Sequence, residues 1–285
     1  VYAVDAGAEE VLQTEWIFSA GNAQEDKNLV AATTNFLLRN GTINKTAFQI
    51  NEQFDYYGSY INRACYNETA TITLHSLTRH IDNLLPKVRE LITDSVMPQE
   101  ELSIYQQNMK QRLKVSLKKS DFVAGRLIDV YLYGEKHPYG KYSSAEDFDA
   151  LKREELVDFY KKYYQQGKLI IFVAGKLPQN LEQLLNTNFG DLPFANVIEK
   201  ETAPVLGTEK KVRITNDPDG AQGSIRIARP FPNRHHPDFL KAQILNALFG
   251  GFFGSRLMSN IREDKGYTYG IHSYLLNHVQ QSGWM

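Results

Sequence analysis

The feature that most constrains the fold of this chain is an order of elements that occurs twice. Over 15–66 the pattern predicts a strand, a helix, a glycine turn, a second helix and then a strand that follows Gly-Ser-Tyr. Over 224–275 the same order returns at similar distances, although few residues are identical. Self-similarity of this kind indicates two copies of one structural unit. The second copy is expected to be incomplete, because the chain stops soon after its last predicted strand.

Hydrophobic periodicity predicts the individual elements. In the first copy, a strand at 9–21 is followed by helices at 28–40 and 45–57, and two alternating runs, SYINRACYN and TATITLHSL, predict a hairpin. The other predicted elements are helices at 79–95, 98–119 and 144–164, a buried central strand at 169–177, a helix at 179–188, strands at 211–216 and 222–229, and a helix at 237–249. The fold class is therefore α+β: two homologous domains, each an antiparallel-rich sheet flanked by helices.

The length of the chain, 285 residues, also favours two domains, because single hydrophobic cores stop growing beyond roughly 250–300 residues. The segment that precedes the second copy has prolines, mixed charge and no sustained periodicity. We therefore predict a first domain at 1–195, a linker at 196–210 and a truncated second domain at 211–285.

Composition excludes several classes of function. A formal net charge of −1 gives no overall attraction to nucleic acid, and no apolar run approaches the ~18 residues that a membrane span requires. Cys65 is the only cysteine, so neither an intrachain disulfide nor a multi-cysteine metal site is possible; it lies in an alternating run, which favours a buried hydrophobe over a nucleophile. A soluble protein with both ends cut is expected, and its compartment is not predicted.

Four segments carry a resemblance to a known family: SAGNAQED, LLRNGT, HPYG at 137–140, and GGFFGSRLMSNIREDKGYTYG at 250–270. Together they are similar to the pitrilysin/insulinase-type zinc peptidases. That family includes the mitochondrial processing peptidase and the core proteins of the respiratory bc1 complex. The last segment is the most specific of the four, with a glycine-rich loop and an arginine seven residues before a tyrosine.

The resemblance implies that the zinc motif of active members is lost here. Those members carry His-x-x-Glu-His on the helix that matches 28–40, where two imidazoles bind the ion and the glutamate is the general base. In this chain the three positions are Ala32, Asn35 and Phe36, and Phe36 is expected to face apolar neighbours. The third ligand of the family, a glutamate, has no counterpart between Glu101 and Glu135. No metal is expected in this chain, and zinc is expected in a partner.

The resemblance also gives roles to the segment at 250–270. In the family the matching Arg262 and Tyr269 belong to the half without metal and stabilise the transition state in the other half, as fixed donors aimed at a developing oxyanion. The alternative is that Arg262 pairs with Glu263 or Asp264 while Tyr269 fills the core.

The glycine-rich loop has two interpretations as well. The resemblance makes Gly250, Gly251, Gly254 and Ser255 a flexible substrate-binding loop. The alternative is a connection between helices whose glycines supply positive φ. A nucleotide-binding P-loop is excluded, because the loop follows a helix and lacks the required lysine.

Two functions follow from these observations. The first is a non-catalytic subunit or half of a zinc metalloendopeptidase, inactive alone, which binds extended peptide and contributes Arg262 and Tyr269 to a partner with a His-x-x-Glu-His motif. The alternative is a structural or assembly subunit resembling the bc1 core proteins, with no proteolytic role. The presence of the Arg262–Tyr269 pair favours the first.

Overall fold

The computed structural model describes residues 1–193, 212–231 and 233–278, together with the backbone of 282–284. The predicted linker at 196–210 lies outside the described residues. Contacts divide the chain into two compact units. The first consists of Val1–Leu113 together with the chain from Ser143 up to the undescribed segment, and the second of Lys114–Tyr142 together with the chain after that segment. The predicted domain boundaries stay a prediction; Lys114–Tyr142, which we included in the first domain, groups with the second unit.

The first unit contains a five-stranded sheet in the order β1-β5-β2-β4-β3. Its strands are β1 (Tyr2–Asp5), β2 (Val11–Phe18), β3 (Tyr60–Cys65), β4 (Ala70–Leu77) and β5 (Leu169–Gly175). β2 pairs antiparallel with β4 on one side and β5 on the other, β3 pairs antiparallel with β4, and β1 is parallel to β5. The predicted α+β class with an antiparallel-rich sheet is confirmed for this unit.

Helices surround this sheet. They are α1 (Val30–Leu37), α2 (Ala47–Asp55), α3 (Ile81–Thr93), α4 (Gln99–Ser116), α6 (Ala145–Ala150), α7 (Arg153–Tyr160) and α8 (Leu181–Phe189); α5 (Ser120–Tyr133) belongs to the second unit. Period-two alternation buries Leu12, Trp16 and Phe18 on one face of β2, whereas helical spacing buries Leu84 and Val88 of α3. These side chains form one continuous core.

The second unit contains α5, α9 (Phe239–Asn246) and a three-stranded antiparallel sheet in the order β6-β8-β7. Its strands are β6 (Arg229–Pro230), β7 (Leu275–Asn277) and β8 (Ser282–Trp284). A π-helical turn at Ala247–Gly251 follows α9, and a π-helical segment spans Met258–Asp264. Leu132, Tyr133 and Tyr139 form a small buried cluster here.

Several predicted elements differ from those observed. Residues 212–228 form no strand, so the strands predicted at 211–216 and 222–229 are wrong over these residues. Only Arg229, the last residue of the second predicted strand, lies in an observed strand, β6. β5 was predicted as buried on both faces, yet only Ile171 and Val173 are buried and Phe172 is exposed, stacking on Tyr2 with ring centroids 4.9 Å apart. The physical reason is that antiparallel sheets tolerate one exposed face. Neither β1 nor α5 was predicted.

Among the described residues, no helix combines the length and the apolar composition that a bilayer-spanning helix requires.

Candidate functional site

Helix α1, which carries the three former zinc-motif positions, begins at an unusual N-terminus. The buried carboxylate of Glu25 accepts hydrogen bonds from the backbone N–H groups of Leu29 (3.3 Å) and Ala31 (2.9 Å). A negative charge at this end of a helix is favourable, because it satisfies free N–H groups and interacts with the helix dipole. Leu29 has a left-handed backbone with φ 72°, which is uncommon for a leucine. The side chain of Glu25 therefore sets where α1 starts.

Asn35, at the position of the general base, belongs to the core. Its side chain is 2% exposed, and its Nδ2 donates to the carbonyl oxygen of Thr71 (3.2 Å) and to the hydroxyl of Tyr164 (3.1 Å). Burial raises the pKa of Tyr164 well above its ordinary value, so the phenol is neutral. Both donor hydrogens of the amide are engaged with core acceptors. Asn35 is a structural residue that links α1 to β4.

Phe36, at the second ligand position, lies at the surface. It is 41% exposed, so the expectation that it is enclosed by apolar neighbours is wrong. Its ring packs on one side against the Tyr105 ring (centroids 4.7 Å apart). On the other side the guanidinium carbon of Arg63 lies 5.1 Å from the ring centroid, and Arg63 Nη1 donates to the Phe36 carbonyl oxygen. A cationic side chain of the protein thus occupies the neighbourhood of a former ligand position.

The residues present do not fit a zinc ion. Ala32, half-buried, offers no donor atom, the Asn35 amide is occupied, and Phe36 cannot ligate. The charge of Arg63 would repel a divalent cation placed beside it. Within the ranges that the structure describes, no group of three or more histidine, cysteine or acidic residues could hold a metal ion.

Cys65, at the end of β3, is half-buried. Burial, reinforced by the carboxylate of Glu25, raises its pKa to about 12, so it is protonated at neutral pH. Cys65 therefore fits the prediction of a small hydrophobic residue better than that of a nucleophile.

The glycine-rich loop of the second unit is partly a packing element. Gly250 is buried, and a Cβ placed there would lie 2.7 Å from both Cβ and N of Ser273. The Ser273 backbone N–H donates to the Gly250 carbonyl (2.9 Å), which fixes this close approach. Ser255 is 1% exposed, whereas Gly251 and Gly254 are exposed. A substrate-binding role therefore has accessible positions only at Gly251 and Gly254 in this conformation, and for all four residues the role stays a prediction.

Backbone geometry contradicts the alternative interpretation of this loop. None of Gly250, Gly251 and Gly254 has positive φ. The left-handed glycine in this region is Gly266, with φ 63°, and it ends the π-helical segment that carries Arg262.

The surroundings of Arg262 and Tyr269 differ from those that the sequence predicts. The guanidinium carbon of Arg262 lies 4.7 Å from the ring centroid of Phe253, an exposed aromatic of the glycine-rich loop. No ion pair of Arg262 with Glu263 or Asp264 occurs among the described residues. The alternative in which this arginine is neutralised locally is wrong.

Tyr269 is 95% exposed, so it does not fill the core. It also precedes β7, which begins only at Leu275, and it lies in no helix or strand. Sequence reasoning missed two contacts at these sites, those of Arg63 with Phe36 and of Phe253 with Arg262. Both connect residues in different elements, and no local pattern indicates them.

The fold and the two sites define an α+β protein in which Ala32, Asn35 and Phe36 of α1 do not form a metal site. Residues 150–285 match the family model described as "Peptidase M16 inactive domain". A protein of Rickettsia felis named "Uncharacterized zinc protease" is 26% identical over 254 residues, 82% of this chain and 57% of that protein. The "Non-peptidase homolog YmxG" of Helicobacter pylori is 25% identical over 263 residues, 90% of this chain and 60% of that protein.

Among solved structures, the peptidase M16 inactive domain from Pseudomonas fluorescens matches with a TM-score of 0.85 and 23% identity, covering 99% of this chain and 69% of that one. The chain thus spans 57% and 60% of the lengths of the two curated relatives. These matches confirm the resemblance to the pitrilysin/insulinase-type peptidases that the sequence predicted.

Proposed function

We propose that this chain acts as the non-catalytic half or subunit of a zinc metalloendopeptidase. In this proposal it binds extended peptide and supplies transition-state stabilisation to a zinc-bearing partner that carries a His-x-x-Glu-His motif. It has no peptidase activity alone, because the motif positions of α1 provide neither ligands nor a general base. The proposal extends beyond this chain to a partner, which the comparisons do not identify.

The observation that carries the proposal is the presentation of Arg262 and Tyr269. Tyr269 exposes 95% of its surface, and no hydrogen bond of its hydroxyl occurs within the described residues. The guanidinium carbon of Arg262 lies 4.7 Å from the ring centroid of Phe253, and no hydrogen bond of its side-chain N–H groups occurs within the described residues. Two donors that are not used by their own fold are available to a carbonyl oxygen or oxyanion supplied by a complex.

The peptide would add to the sheet of the first unit. The edge strands of that sheet are β1 and β3, and β3 is the one that packs against α1. An extended peptide bound along an edge strand gains main-chain hydrogen bonds without sequence requirements, and side-chain contacts then select among peptides. Binding at β3 would place the peptide beside the former motif helix.

The test begins with capture of the chain from its native source and identification of any bound protein with a His-x-x-Glu-His motif. In the reconstituted complex, Tyr269→Phe should lower kcat/KM about 10²-fold, the scale of one lost oxyanion donor. Tyr267→Phe is the matched control, because Tyr267 is also exposed (78%) and lies two residues earlier. Equal activity of wild type and the Tyr269→Phe variant would remove the catalytic contribution.

A structural or assembly role is the second candidate, and one specific observation favours it. Four apolar side chains on α9 and the turn that follows, Leu240, Ile244, Leu245 and Leu248, are between 61% and 70% exposed. An apolar surface of this kind marks an interaction surface more often than a free one. Under this reading, Tyr269→Phe leaves activity of a complex unchanged, whereas Ile244→Asp prevents its assembly.

A further inference from the structure

Two arginines connect α1 and the edge strand β3 reciprocally. Arg39, two residues beyond the end of α1, donates from Nη1 to the carbonyl oxygen of Ile61 in β3 (3.0 Å). Arg63, in β3, donates from Nη1 to the carbonyl oxygen of Phe36 in α1 and covers the Phe36 ring. The two guanidiniums therefore lie on the same helix–strand junction, at the side of α1 where the former motif reaches the surface.

No acidic side chain of the described residues forms an ion pair with either arginine. Burial lowers the pKa of Arg39 from its ordinary value, and the charges of Tyr60 and Asp55 oppose that lowering only in part. Burial and the neighbouring charge of Arg39 lower the pKa of Arg63 to about 9, a value at which the side chain is still cationic at neutral pH. Two like charges are thus held together and partly desolvated.

Most N–H donors of the two guanidinium groups have no acceptor among the described residues. A guanidinium has five N–H donors in a planar fork, and each of these arginines gives one nitrogen to a backbone carbonyl. Desolvated charge without a counter-ion is unfavourable, and an anion that receives the remaining donors would relieve it. The group that best matches the fork is a carboxylate, which accepts two parallel hydrogen bonds.

We propose that Arg39 and Arg63 form a binding site for a carboxylate of an extended, acidic peptide that lies along β3. This inference rests on the proposed function, since it names the class of peptide that the same edge strand selects. The exposed ring of Phe36, which lies against Arg63, provides apolar contact to neighbouring residues of the peptide. The resemblance implies that active relatives hold a zinc ion at this place. In this chain, the positive charge that attracts the ligand comes from the two arginines.

The carboxylate has two sources in a peptide, an acidic side chain or the C-terminus. We would measure fluorescence anisotropy with three versions of one labelled extended peptide, using the whole chain. The first is neutral with an amidated end, the second contains a single glutamate and an amidated end, and the third is neutral with a free C-terminal carboxylate. Wild type should bind the second or the third at least about 10-fold more tightly than the first, the scale of one charge-assisted hydrogen bond.

Substitutions of Arg39 and Arg63 test whether the preference for a peptide with a carboxylate depends on these two residues. Arg63→Gln and Arg39→Gln should each reduce the preference to about 2-fold or less, whereas Arg63→Lys, which keeps the charge but lacks the fork, should keep part of it. Arg79→Gln is the control, because Arg79 is exposed elsewhere in the first unit and its described hydrogen bond is to His80. If a glutamine variant fails to fold, the side-chain Nε–H resonances of arginine in wild type report the same contact, by shifting on addition of the acidic peptide.

Three results would overturn the inference. Equal affinity of wild type for all three peptides would show that β3 binds peptides without a carboxylate site, which leaves the proposed function standing. An acidic preference that survives both glutamine substitutions would place the anion elsewhere. Absence of binding by any peptide would refute both the carboxylate site and peptide binding by this chain, while the Tyr269→Phe measurement would still test the catalytic contribution independently.

Discussion

Asn35→Asp should lower the free energy of unfolding by about 3 kcal/mol at neutral pH. The substitution replaces only the NH2 group, which donates to the Thr71 carbonyl and the Tyr164 hydroxyl, with an oxygen that cannot donate. The Tyr164 hydroxyl can turn and donate to the new carboxylate, but the Thr71 carbonyl loses this donor. One buried acceptor left without it costs about 1–3 kcal/mol. Desolvation of the carboxylate adds about 1.4 kcal/mol for each unit by which its pKa is raised.

The loss in free energy of unfolding caused by Asn35→Asp should depend on pH in a defined direction. A buried aspartate at position 35 has a folded-state pKa above the ordinary value of about 3.9, so the folded state binds more protons than the unfolded state between those two values. Stability of the variant relative to wild type therefore falls as pH rises through that window and is lowest above the raised pKa. Urea unfolding followed by circular dichroism at about pH 5 and about pH 8 measures the difference.

The matched control is Asn62→Asp, an exposed asparagine on β3 for which the same atom is exchanged without burial. Its free energy of unfolding should stay within about 0.5 kcal/mol of wild type. If Asn35→Asp were as stable as wild type at both pH values, the two hydrogen bonds of the Asn35 amide could not be as described. The same reasoning explains why a glutamate restored at position 35 would not act as a general base, since it would have to leave the core first.

Four further predictions concern individual sites. The chain purified without chelator should contain no stoichiometric zinc by elemental analysis, and one ion per chain would contradict the lost motif. Phe36→His should cost less than about 1 kcal/mol in denaturant unfolding because the side chain is 41% exposed, and a larger loss would show that this position is enclosed. Gly250→Ala should cost about 1–3 kcal/mol because its Cβ would meet Ser273 at 2.7 Å, whereas Gly251→Ala, with its nearest neighbour at 3.3 Å, should cost less; equal losses would refute the close approach. The Cys65 thiol should react with a disulfide reagent at neutral pH at least about 100-fold more slowly than free cysteine, because its pKa is about 12, and rapid labelling would contradict that burial.

The sequence predicted the strongly periodic elements and missed those that depend on distant partners. The alternation of β2 and the helical spacing of α3 are local properties, and both elements are observed near their predicted positions. β1 is four exposed residues long, and the strand with which it pairs in the described part of the chain, β5, lies about 170 residues further along. α5 has side chains that are mostly half-buried, so it lacks the contrast between faces on which a prediction depends.

The same distinction holds for the candidate sites. The resemblance identified Ala32, Asn35 and Phe36, and the structure places all three on one helix. Their environments were not predictable, because the burial of Asn35 depends on a tyrosine 129 residues away and the exposure of Phe36 on the packing of β3. The contact of Arg63 with Phe36 joins a strand to a helix 27 residues apart, which no periodicity encodes.

The strand order of the first unit has a consequence for biosynthesis. β2 can pair with β4 as soon as residues 70–77 are made, but its other neighbour, β5, begins only at Leu169. At roughly 5–20 residues per second, the ribosome needs on the order of 10 s to make the intervening chain. During that interval the β5-facing edge of β2, in the middle of the finished sheet, is an unpaired edge next to a hydrophobic face. Nascent chains of this protein should therefore be bound by chaperones until β5 emerges, and slower translation across 120–168 should increase their aggregation.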